Sequence, residues 1–370
     1  MGSSKIHIVH VETGRHVYGG PRQVLLLMHG LNDRGLRNTL VCPARSDVET
    51  AARQQGLTVL GIPVGGDLDV GLYLRLVRAL RDTHPDLVHV HSRRGADLFG
   101  GLAALRAGLP AVLTRRVDSR DWPLVGRFKY ASYRRVIAIS ARIRRQLLDS
   151  GLPAERLHLV QSAVPAPPPE GPALEAAEFR AEFDFPDNVF PVAVVAQLIA
   201  RKGHRYLLEA LAQLKTRFPQ IRVVLFGVGR LDRALEQQSR DLGVDDMVRF
   251  VGYYPEVNRI IGRFSLLVHP ARREGLGVSV LEAQAARVPV VGFRAGGLSE
   301  AVADGQTGLL VPPGDVGALA AAIAALIEDP QRRHELAAAG PAHVDAHFGL
   351  DAMVDGNLSV YKDLLGLSQD

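Results

Sequence analysis

The chain has few of the features that mark secreted, disulfide-bonded or membrane-spanning proteins. Its 370 residues include one cysteine, Cys42, so no disulfide can form within the chain, and a reducing compartment fits. The basic start, apolar core and cleavage site of a signal peptide are missing, from which we expect a cytoplasmic protein. An early apolar run, residues 24–28, is far too short to cross a bilayer.

Charge is distributed unevenly along the chain. Residues 1–170 contain 24 Lys and Arg against 14 Asp and Glu, a net charge of +10, whereas the remainder contains 20 against 25, a net charge of −5. A basic first half indicates an anionic partner, which would be a phosphorylated or acidic substrate or an anionic membrane surface. An arginine-rich surface without any partner is the alternative. We expect no nucleic-acid partner.

Strand and helix patterns alternate in two series, separated by a proline-rich break at residues 163–169. Each series is typical of a parallel sheet covered by helices on both faces. We therefore predict an α/β protein with a domain boundary near this break. The first domain covers residues 1–165 and the second residues 166–349. An amphipathic helix ends the chain, at about residues 350–370.

Two carboxylates lie close together in the second half of the chain. Glu274 begins a glycine-containing turn, Glu274-Gly275-Leu276-Gly277, and Glu282 lies within the helix predicted after this turn. The turn follows an apolar strand. Parallel α/β proteins bind polar ligands at such places, because the amino end of a helix offers unpaired N–H groups. Side chains tilt toward the amino end of a helix, so Glu282 can reach the same site as Glu274. Two solvated acids are the alternative for this stretch alone.

Three further strand-to-helix loops have the composition of anion-binding sites, although each alone is equally typical of an ordinary turn. Arg201 and Lys202 would bind a diphosphate at the start of a helix. Gly19 and Gly20 form a predicted turn after the first strand, whose amides would face a phosphate. Residues 293–300 repeat the arrangement of strand end, glycine pair and helix start.

A series of short motifs runs through the second half of the chain. They are Lys202-Gly203, Phe250-Val251-Gly252, His269-Pro270, Glu274-Gly275-x-Gly277 up to Glu282, Pro289-Val290-Val291, Gly296-Gly297-x-x-Glu300 and Asp304-Gly305-x-x-Gly308-Leu309-Leu310-Val311. Each is unspecific alone. Together and in this order they resemble glycosyltransferase family 4, the retaining enzymes with the GT-B fold, and the resemblance covers nearly the whole chain.

The resemblance implies two Rossmann-like domains whose parallel sheets face each other across a cleft. The acceptor would bind to the first domain and the nucleotide-sugar donor mainly to the second, and the last helix would pack back on the first. The family implies that Glu274, with the amides of Gly275, Leu276 and Gly277, holds the hydroxyls of the donor sugar, and that Glu282 holds those of the ribose. Lys202, with Arg201, would neutralise the diphosphate, which Gly20 would also contact. Tyr253 would lie near the base.

Three positions depart from the pattern of the family. An Arg often precedes the Lys by several residues, but this chain has Gln197, and Arg201 would replace the lost charge. Arg116 stands where the family has the His of a Thr-x-His. Ser162-Ala163 stand where it has Asn-Gly. The first two departures affect the chemistry and the choice of acceptor.

Arginine-rich loops after two predicted strands of the first domain indicate an anionic acceptor. We assign acceptor binding to His91 and Arg93 after one strand and to Arg115, Arg116 and Asp118 after the other, since guanidinium groups bind phosphates and carboxylates. A sugar of the lipopolysaccharide core or another cell-surface or lipid-linked glycan would fit. Arginines between residues 134 and 145 would suit peripheral contact with the inner face of the cytoplasmic membrane.

The expected reaction is transfer of a hexose with retention of the anomeric configuration. Lys202, Arg201 and helix amino ends would stabilise the leaving diphosphate, so we expect no metal and no other cofactor. The D-x-D at residues 67–69 is interpreted as an exposed loop. No protein nucleophile is evident, which favours front-face attack. UDP-glucose is the first choice of donor, ahead of other UDP-hexoses, GDP-mannose and ADP-heptose. A UDP-sugar 2-epimerase of the same fold and a non-catalytic sugar-binding protein are the alternatives.

Overall fold

The computed structural model describes residues 5–66, 69–91, 95–119, 121, 123–165, 174–254 and 256–367. The chain forms two compact units. Unit 1 contains the chain up to Ala163 and again from Leu350 onward, and unit 2 is Val164–Gly349. The division falls at the start of the proline-rich stretch, of which residues 166–169 lie outside the described residues.

Unit 1 is built on a parallel sheet. Its described strands are β1 (His7–Val11), β2 (Arg37–Pro43), β3 (Val59–Ile62), β4 (Leu87–Val90), β5 (Ala111–Arg115), β6 (Arg135–Ala138) and β7 (Leu157–Leu159). Their order in the sheet is β3-β2-β1-β4-β5-β6-β7. The central strands β1 and β4 are buried along their whole length, as expected where helices cover both faces. Because the strands are parallel, the residues that follow β4 and β5 lie at one edge.

The helices of unit 1 cover this sheet. Those between the strands are α1 (Gly19–Asp33), α2 (Asp47–Gln54), α3 (Gly71–Thr83), α4 (Ala96–Arg106), α5 (Pro123–Ala131) and α6 (Ala141–Asp149). The prediction of a turn at Gly19-Gly20-Pro21 is wrong, because α1 begins at Gly19 after an extended Tyr18. Pro21 lies in the first turn, where a missing N–H costs no hydrogen bond. Helix α5 was not predicted from the sequence.

Unit 2 contains a second parallel sheet. Its described strands are β8 (Phe190–Val195), β9 (Ile221–Phe226), β10 (Val248–Gly252), β11 (Leu266–His269), β12 (Val290–Phe293) and β13 (Gly308–Val311), in the order β10-β9-β8-β11-β12-β13. Its helices are α7 (Ala176–Glu182), α8 (His204–Leu214), α9 (Asp232–Asp241), α10 (Val257–Ile260), α11 (Val278–Ala285), α12 (Leu298–Ala301), α13 (Val316–Glu328) and α14 (Pro330–Phe348). The predicted alternation of strands and helices is confirmed in both units, although α7 was not predicted.

The last helix, α15 (Leu350–Leu365), belongs to unit 1 and packs against α1. A Cβ on Gly30 would lie 2.4 Å from Cγ2 of Val354, so the glycine permits the close approach of the two helices. Tyr361 is fully buried in the apolar cluster that α15 shares with α1 and the sheet. At the exposed end of this contact, Arg34 forms ion pairs with Asp351 and Asp355.

None of the helices in the described part of the chain combines the length and the apolar character needed to cross a membrane.

Candidate functional site

In unit 2, the predicted donor residues meet at the carboxyl ends of the adjacent strands β8 and β11. Lys202 follows β8 in a short 3-10 turn (Ala200–Lys202), and Glu274 follows β11. The Lys202 ammonium forms an ion pair with Oε2 of Glu274. His269 Nε2 donates to the same oxygen at 2.7 Å, and the Gly275 N–H donates to Oε1 at 3.0 Å. Lys202 and Glu274 are thus 72 positions apart in the chain and in direct contact in the fold.

Backbone packing holds the two loops together. Gly203 has φ +74, and a Cβ there would lie 1.9 Å from the carbonyl oxygen of Pro270. Gly296 has φ +60, and its Cβ would lie 2.1 Å from the carbonyl oxygen of Glu274. That same oxygen accepts a hydrogen bond from the Gly297 N–H at 2.9 Å. Only glycine fits such contacts, so these motif glycines set the position of Glu274.

Electrostatics keep Glu274 ionised. Burial alone would raise the pKa of this carboxyl, but the Lys202 charge and the His269 hydrogen bond outweigh it and hold the pKa below its ordinary value. Burial lowers the pKa of His269, against the opposing effect of Glu274, so the imidazole is neutral and donates through Nε2. The result is a carboxylate and an ammonium side by side, only 10% and 12% exposed.

The other predicted donor residues surround this pair. Arg201 is half-buried, and its guanidinium lies 3.5 Å from the carbonyl oxygen of Arg273. Gly275, Leu276 and Gly277 are buried immediately before α11, with Gly277 at φ +97 as the residue preceding the helix. Their placement is that of a strand-to-helix anion turn. The remaining two predicted residues are half-buried: Glu282, which lies within α11 as predicted, and Tyr253, which follows β10.

Two histidines of this site were not singled out from the sequence. His269 entered only as part of His-Pro, although a polar residue at the end of an apolar strand is a usable signal. His204 begins α8, is 2% exposed, and neither ring nitrogen has a hydrogen-bond partner among the described residues. Burial and the neighbouring Lys202 and His269 lower the pKa of His204 to about 3, so it is neutral.

In unit 1, the predicted acceptor residues are less accessible than expected. Arg115 is 3% exposed; it donates to Ser119 and lies 3.5 Å from Asp121, which makes it an internal structural residue. The sequence-based prediction ended this strand at Thr114 and placed Arg115 in the loop that follows, but Arg115 is the last residue of β5. Asp118 is half-buried, 3.8 Å from Arg142. Arg93 lies outside the described residues.

His91 belongs to a buried histidine cluster, not to an open acceptor loop. It lies with His10 of β1 and His89 of β4, and the possible ligand atoms of the three rings are all within 4.8 Å of one another. His10 and His89 are register partners in adjacent parallel strands, which explains the contact. The cluster could not be predicted without knowing that β1 pairs with β4.

Arg116 and Gly20 lie beside each other at this edge of unit 1. A Cβ on Gly20 would be 3.8 Å from Cδ of Arg116, and Gly20 lies in the first turn of α1. The Arg116 guanidinium is 3.5 Å from His91 Nδ1 and 3.3 Å from Ser162 Oγ. Of the D-x-D at residues 67–69, the structure describes Asp69, which forms an ion pair with Arg75.

Each unit has a parallel sheet with helices between its strands, as in the GT-B class. HepE of Anabaena, in a crystal structure with UDP-glucose, superposes on this chain with a TM-score of 0.84 at 22% identity, covering 98% of this chain and 100% of that one. At this identity the likeness shows the fold. The predicted GT-B fold is confirmed.

Two family models match consecutive parts of the chain. Residues 17–166 match the model described as Glycosyltransferase Family 4, and residues 175–343 match that for glycosyl transferases group 1. The D-inositol 3-phosphate glycosyltransferase of Acidothermus cellulolyticus is 30% identical over 313 residues, which cover 76% of this chain and 67% of that protein. The chain belongs to glycosyltransferase family 4, as predicted.

Other relatives match over a shorter length. The GDP-mannose-dependent monoacylated alpha-(1-6)-phosphatidylinositol monomannoside mannosyltransferase of Corynebacterium glutamicum is 33% identical over 183 residues, 47% of this chain and 47% of that protein. The chain thus spans about half the length of this relative.

Proposed function

We propose that this protein transfers a hexose from a nucleotide sugar to a hydroxyl of an anionic glycan or glycolipid, with retention at the anomeric carbon. The observation that carries the proposal is the Lys202–Glu274 pair at the carboxyl ends of β8 and β11. A nucleotide sugar presents a dianionic diphosphate directly beside neutral hydroxyls. An ammonium and an ionised carboxylate in contact match these two parts of one ligand.

The roles of the residues follow from charge. Lys202 and Arg201 stabilise the diphosphate as the anomeric bond breaks, because preorganised cations act where negative charge develops. Glu274 accepts hydrogen bonds from hydroxyls of the sugar, and Glu282 from those of the ribose. His269 orients Glu274 through the 2.7 Å hydrogen bond. The acceptor hydroxyl attacks from the face of the leaving group, and the leaving phosphate takes its proton.

Two nucleotide sugars are the candidate donors. UDP-glucose is our first choice, and the complex of HepE with UDP-glucose supports it. The Corynebacterium relative is named as GDP-mannose-dependent, which keeps GDP-mannose as the second candidate. Binding of each nucleotide sugar to the purified protein therefore has to be compared directly.

An anionic acceptor fits the charge of the first half of the chain, +10 over residues 1–170. A phosphorylated polyol is one form of it, in line with the name of the D-inositol 3-phosphate glycosyltransferase from Acidothermus. A lipopolysaccharide-core or lipid-linked glycan is the other, and it would place the enzyme at the inner face of the cytoplasmic membrane.

The test is a thermal-shift screen of UDP-glucose, UDP-galactose, GDP-mannose and ADP-heptose, followed by measurement of nucleoside diphosphate release with each stabilising donor. We expect release to rise sharply when an acceptor mixture of sugar phosphates or lipid-linked glycans is added. Release that is independent of acceptor, with a changed sugar configuration, would favour the 2-epimerase. A donor that binds and is never turned over would favour a sugar-binding protein.

A further inference from the structure

Arg116 is a half-buried charged side chain of unit 1 that contacts neutral acceptors. Its Nη1 donates to Ser162 Oγ at 3.3 Å and its Nη2 to His91 Nδ1 at 3.5 Å, while the buried Nε has no partner among the described residues. Within those residues, no carboxylate forms an ion pair with it. Burial lowers the pKa of Arg116 to about 10, with Glu12 acting in the opposite direction. Even partial burial of a cation beside neutral groups is costly, and a bound anion would offset that cost.

A chain of hydrogen bonds fixes the tautomer of His91. The Asn38 amide donates through Nδ2 to the carbonyl oxygen of Leu36, so its Oδ1 accepts from His10 Nε2 at 3.0 Å. Nδ1 of the neutral His10 is then an acceptor and takes the Nε2–H of His91 at 2.9 Å. His91 is left with a lone pair on Nδ1, and that atom faces Arg116.

Three clustered histidines could also bind a metal ion, but the hydrogen bonds of this cluster oppose metal binding. Both ring nitrogens of His10 are engaged, as are both of His89, which contacts Tyr361 Oη at 2.5 Å and Thr114 Oγ1 at 2.6 Å. The one remaining lone pair, on His91, is next to the Arg116 cation, which repels a metal ion. His10 and His91 are therefore linked in a hydrogen-bond chain, whereas His89 bonds to Tyr361 and Thr114.

We propose that Arg116 binds a phosphate oxygen beside Gly20, and that His91 is a positioning residue that holds the guanidinium instead of a residue that touches the acceptor. Gly20 lies in the first turn of α1, next to Cδ of Arg116, where helix N–H groups favour the same anion. The proposal deepens the proposed function and rests on it. The phosphate belongs to the donor diphosphate or to the acceptor.

The first experiment removes the charge of Arg116. Binding of UDP and of glucose 6-phosphate is measured by calorimetry for the wild type, Arg116→Gln and Arg78→Gln. Arg78 is the matched control, since it lies in the same unit with its side chain 86% exposed. We expect Arg116→Gln to weaken one of the two ligands about tenfold, as loss of a charge-assisted hydrogen bond does, and Arg78→Gln to change both by less than about twofold.

The ligand that is affected identifies the source of the phosphate. A loss for UDP assigns Arg116 to the donor diphosphate, and a loss for glucose 6-phosphate assigns it to the acceptor. Unchanged binding of both, or no binding of either by the wild type, overturns the proposal. If Arg116→Gln binds both UDP and glucose 6-phosphate as the wild type does and still turns over the donor, the proposed function stands while this inference fails. Should Arg116→Gln not fold, Arg116→Lys keeps the charge without the planar fork and is expected to weaken binding less.

The second experiment separates the two nitrogens of His91. In His91→Asn the side-chain oxygen takes the place of Nδ1, so the acceptor for Arg116 is kept, whereas His91→Gln keeps the donor toward His10 and loses that acceptor. The affinity is measured for whichever ligand Arg116→Gln weakens, UDP or glucose 6-phosphate. We expect His91→Asn to bind it within about twofold of the wild type and His91→Gln to bind it about threefold to tenfold more weakly. In an Arg116→Gln background, His91→Gln should add nothing. Equal losses in both His91 variants, or in both backgrounds, would mean that His91 has only a structural role.

Discussion

We expect Glu274→Ala to lower the stability of the protein without weakening its binding of a free nucleotide. The carboxylate is shared by Lys202 and His269, and the Lys202 side chain is only 12% exposed. Removing one partner of a buried pair costs about 3–5 kcal/mol, since it leaves a charge without compensation. Both side chains retain some contact with solvent, so we expect a loss near the lower limit, about 3 kcal/mol.

Nucleotide binding should respond in the opposite direction. Lys202 must leave Glu274, or share it, to contact a diphosphate. In Glu274→Ala no such competition remains, so affinity for free UDP should stay the same or rise by up to about tenfold. Transfer should fall by about two to three orders of magnitude or more, because the sugar loses its carboxylate acceptor and its position.

Urea unfolding, calorimetry with UDP and donor turnover check these three values. Glu335→Ala is the control, because Glu335 lies in the same unit, half exposed, and pairs with Arg332 at 3.3 Å. That surface pair should contribute less than about 1 kcal/mol and affect neither UDP nor transfer. A folded Glu274→Ala protein that loses UDP binding together with transfer would refute the reasoning, since Glu274 would then hold the nucleotide. If Glu274→Ala had the same free energy of unfolding as the wild type, the Lys202–Glu274 pair would not stabilise the fold.

Three further comparisons test other contacts in the two units. Replacing the pair together, as Lys202→Met with Glu274→Leu, should recover part of the stability lost in either single variant while abolishing transfer; additive losses in urea unfolding would argue against coupling. Gly296→Ala should be more destabilising than Gly305→Ala by about 1–3 kcal/mol, because both glycines have positive φ but a Cβ on Gly296 alone meets backbone; equal thermal shifts would contradict this. Burial lowers the pKa of His10 from 6.5 to about 4, so between these pH values the unfolded chain takes up a proton that the folded one does not. The contribution of His10 to stability, present above pH 6.5, should thus fall by up to about 3 kcal/mol toward pH 4. Because burial also lowers the pKa of His89, His91 and His204, His10→Gln should reduce the slope of urea midpoint against pH in this range without abolishing it.

Local sequence was most informative in unit 2. The turn from Glu274 to Gly277, the helix that carries Glu282 and the loop of Lys202 were all predicted at the right places, because apolar strands, glycines and helix starts are local features. The helix start at Gly19 was missed because Gly-Gly-Pro is as typical of a turn as of a first helical turn. The functional roles of these residues remain predictions.

Charge alone was a poorer indicator of location. Arg115 and Arg116 are neighbours in sequence, yet Arg115 is enclosed with Asp121 and Ser119, whereas Arg116 faces His91 and Ser162. Arg115 ends β5 and Arg116 is the first residue after it, and the partners of each side chain depend on the elements packed beside it. No local pattern distinguishes the two arginines.

The sequence by itself determined the alternation of strands and helices, the glycines at strand-to-helix turns and the family, since these depend on residue types at short spacing. Tertiary structure alone decided which distant residues meet: Lys202 with Glu274 across β8 and β11, and His10 with His91 and Arg116 across β1, β4 and β5. The physical reason is that strand order in a parallel sheet is set by packing of whole helices and strands. Burial and hydrogen-bond partners, which control charge and tautomer, follow from that order.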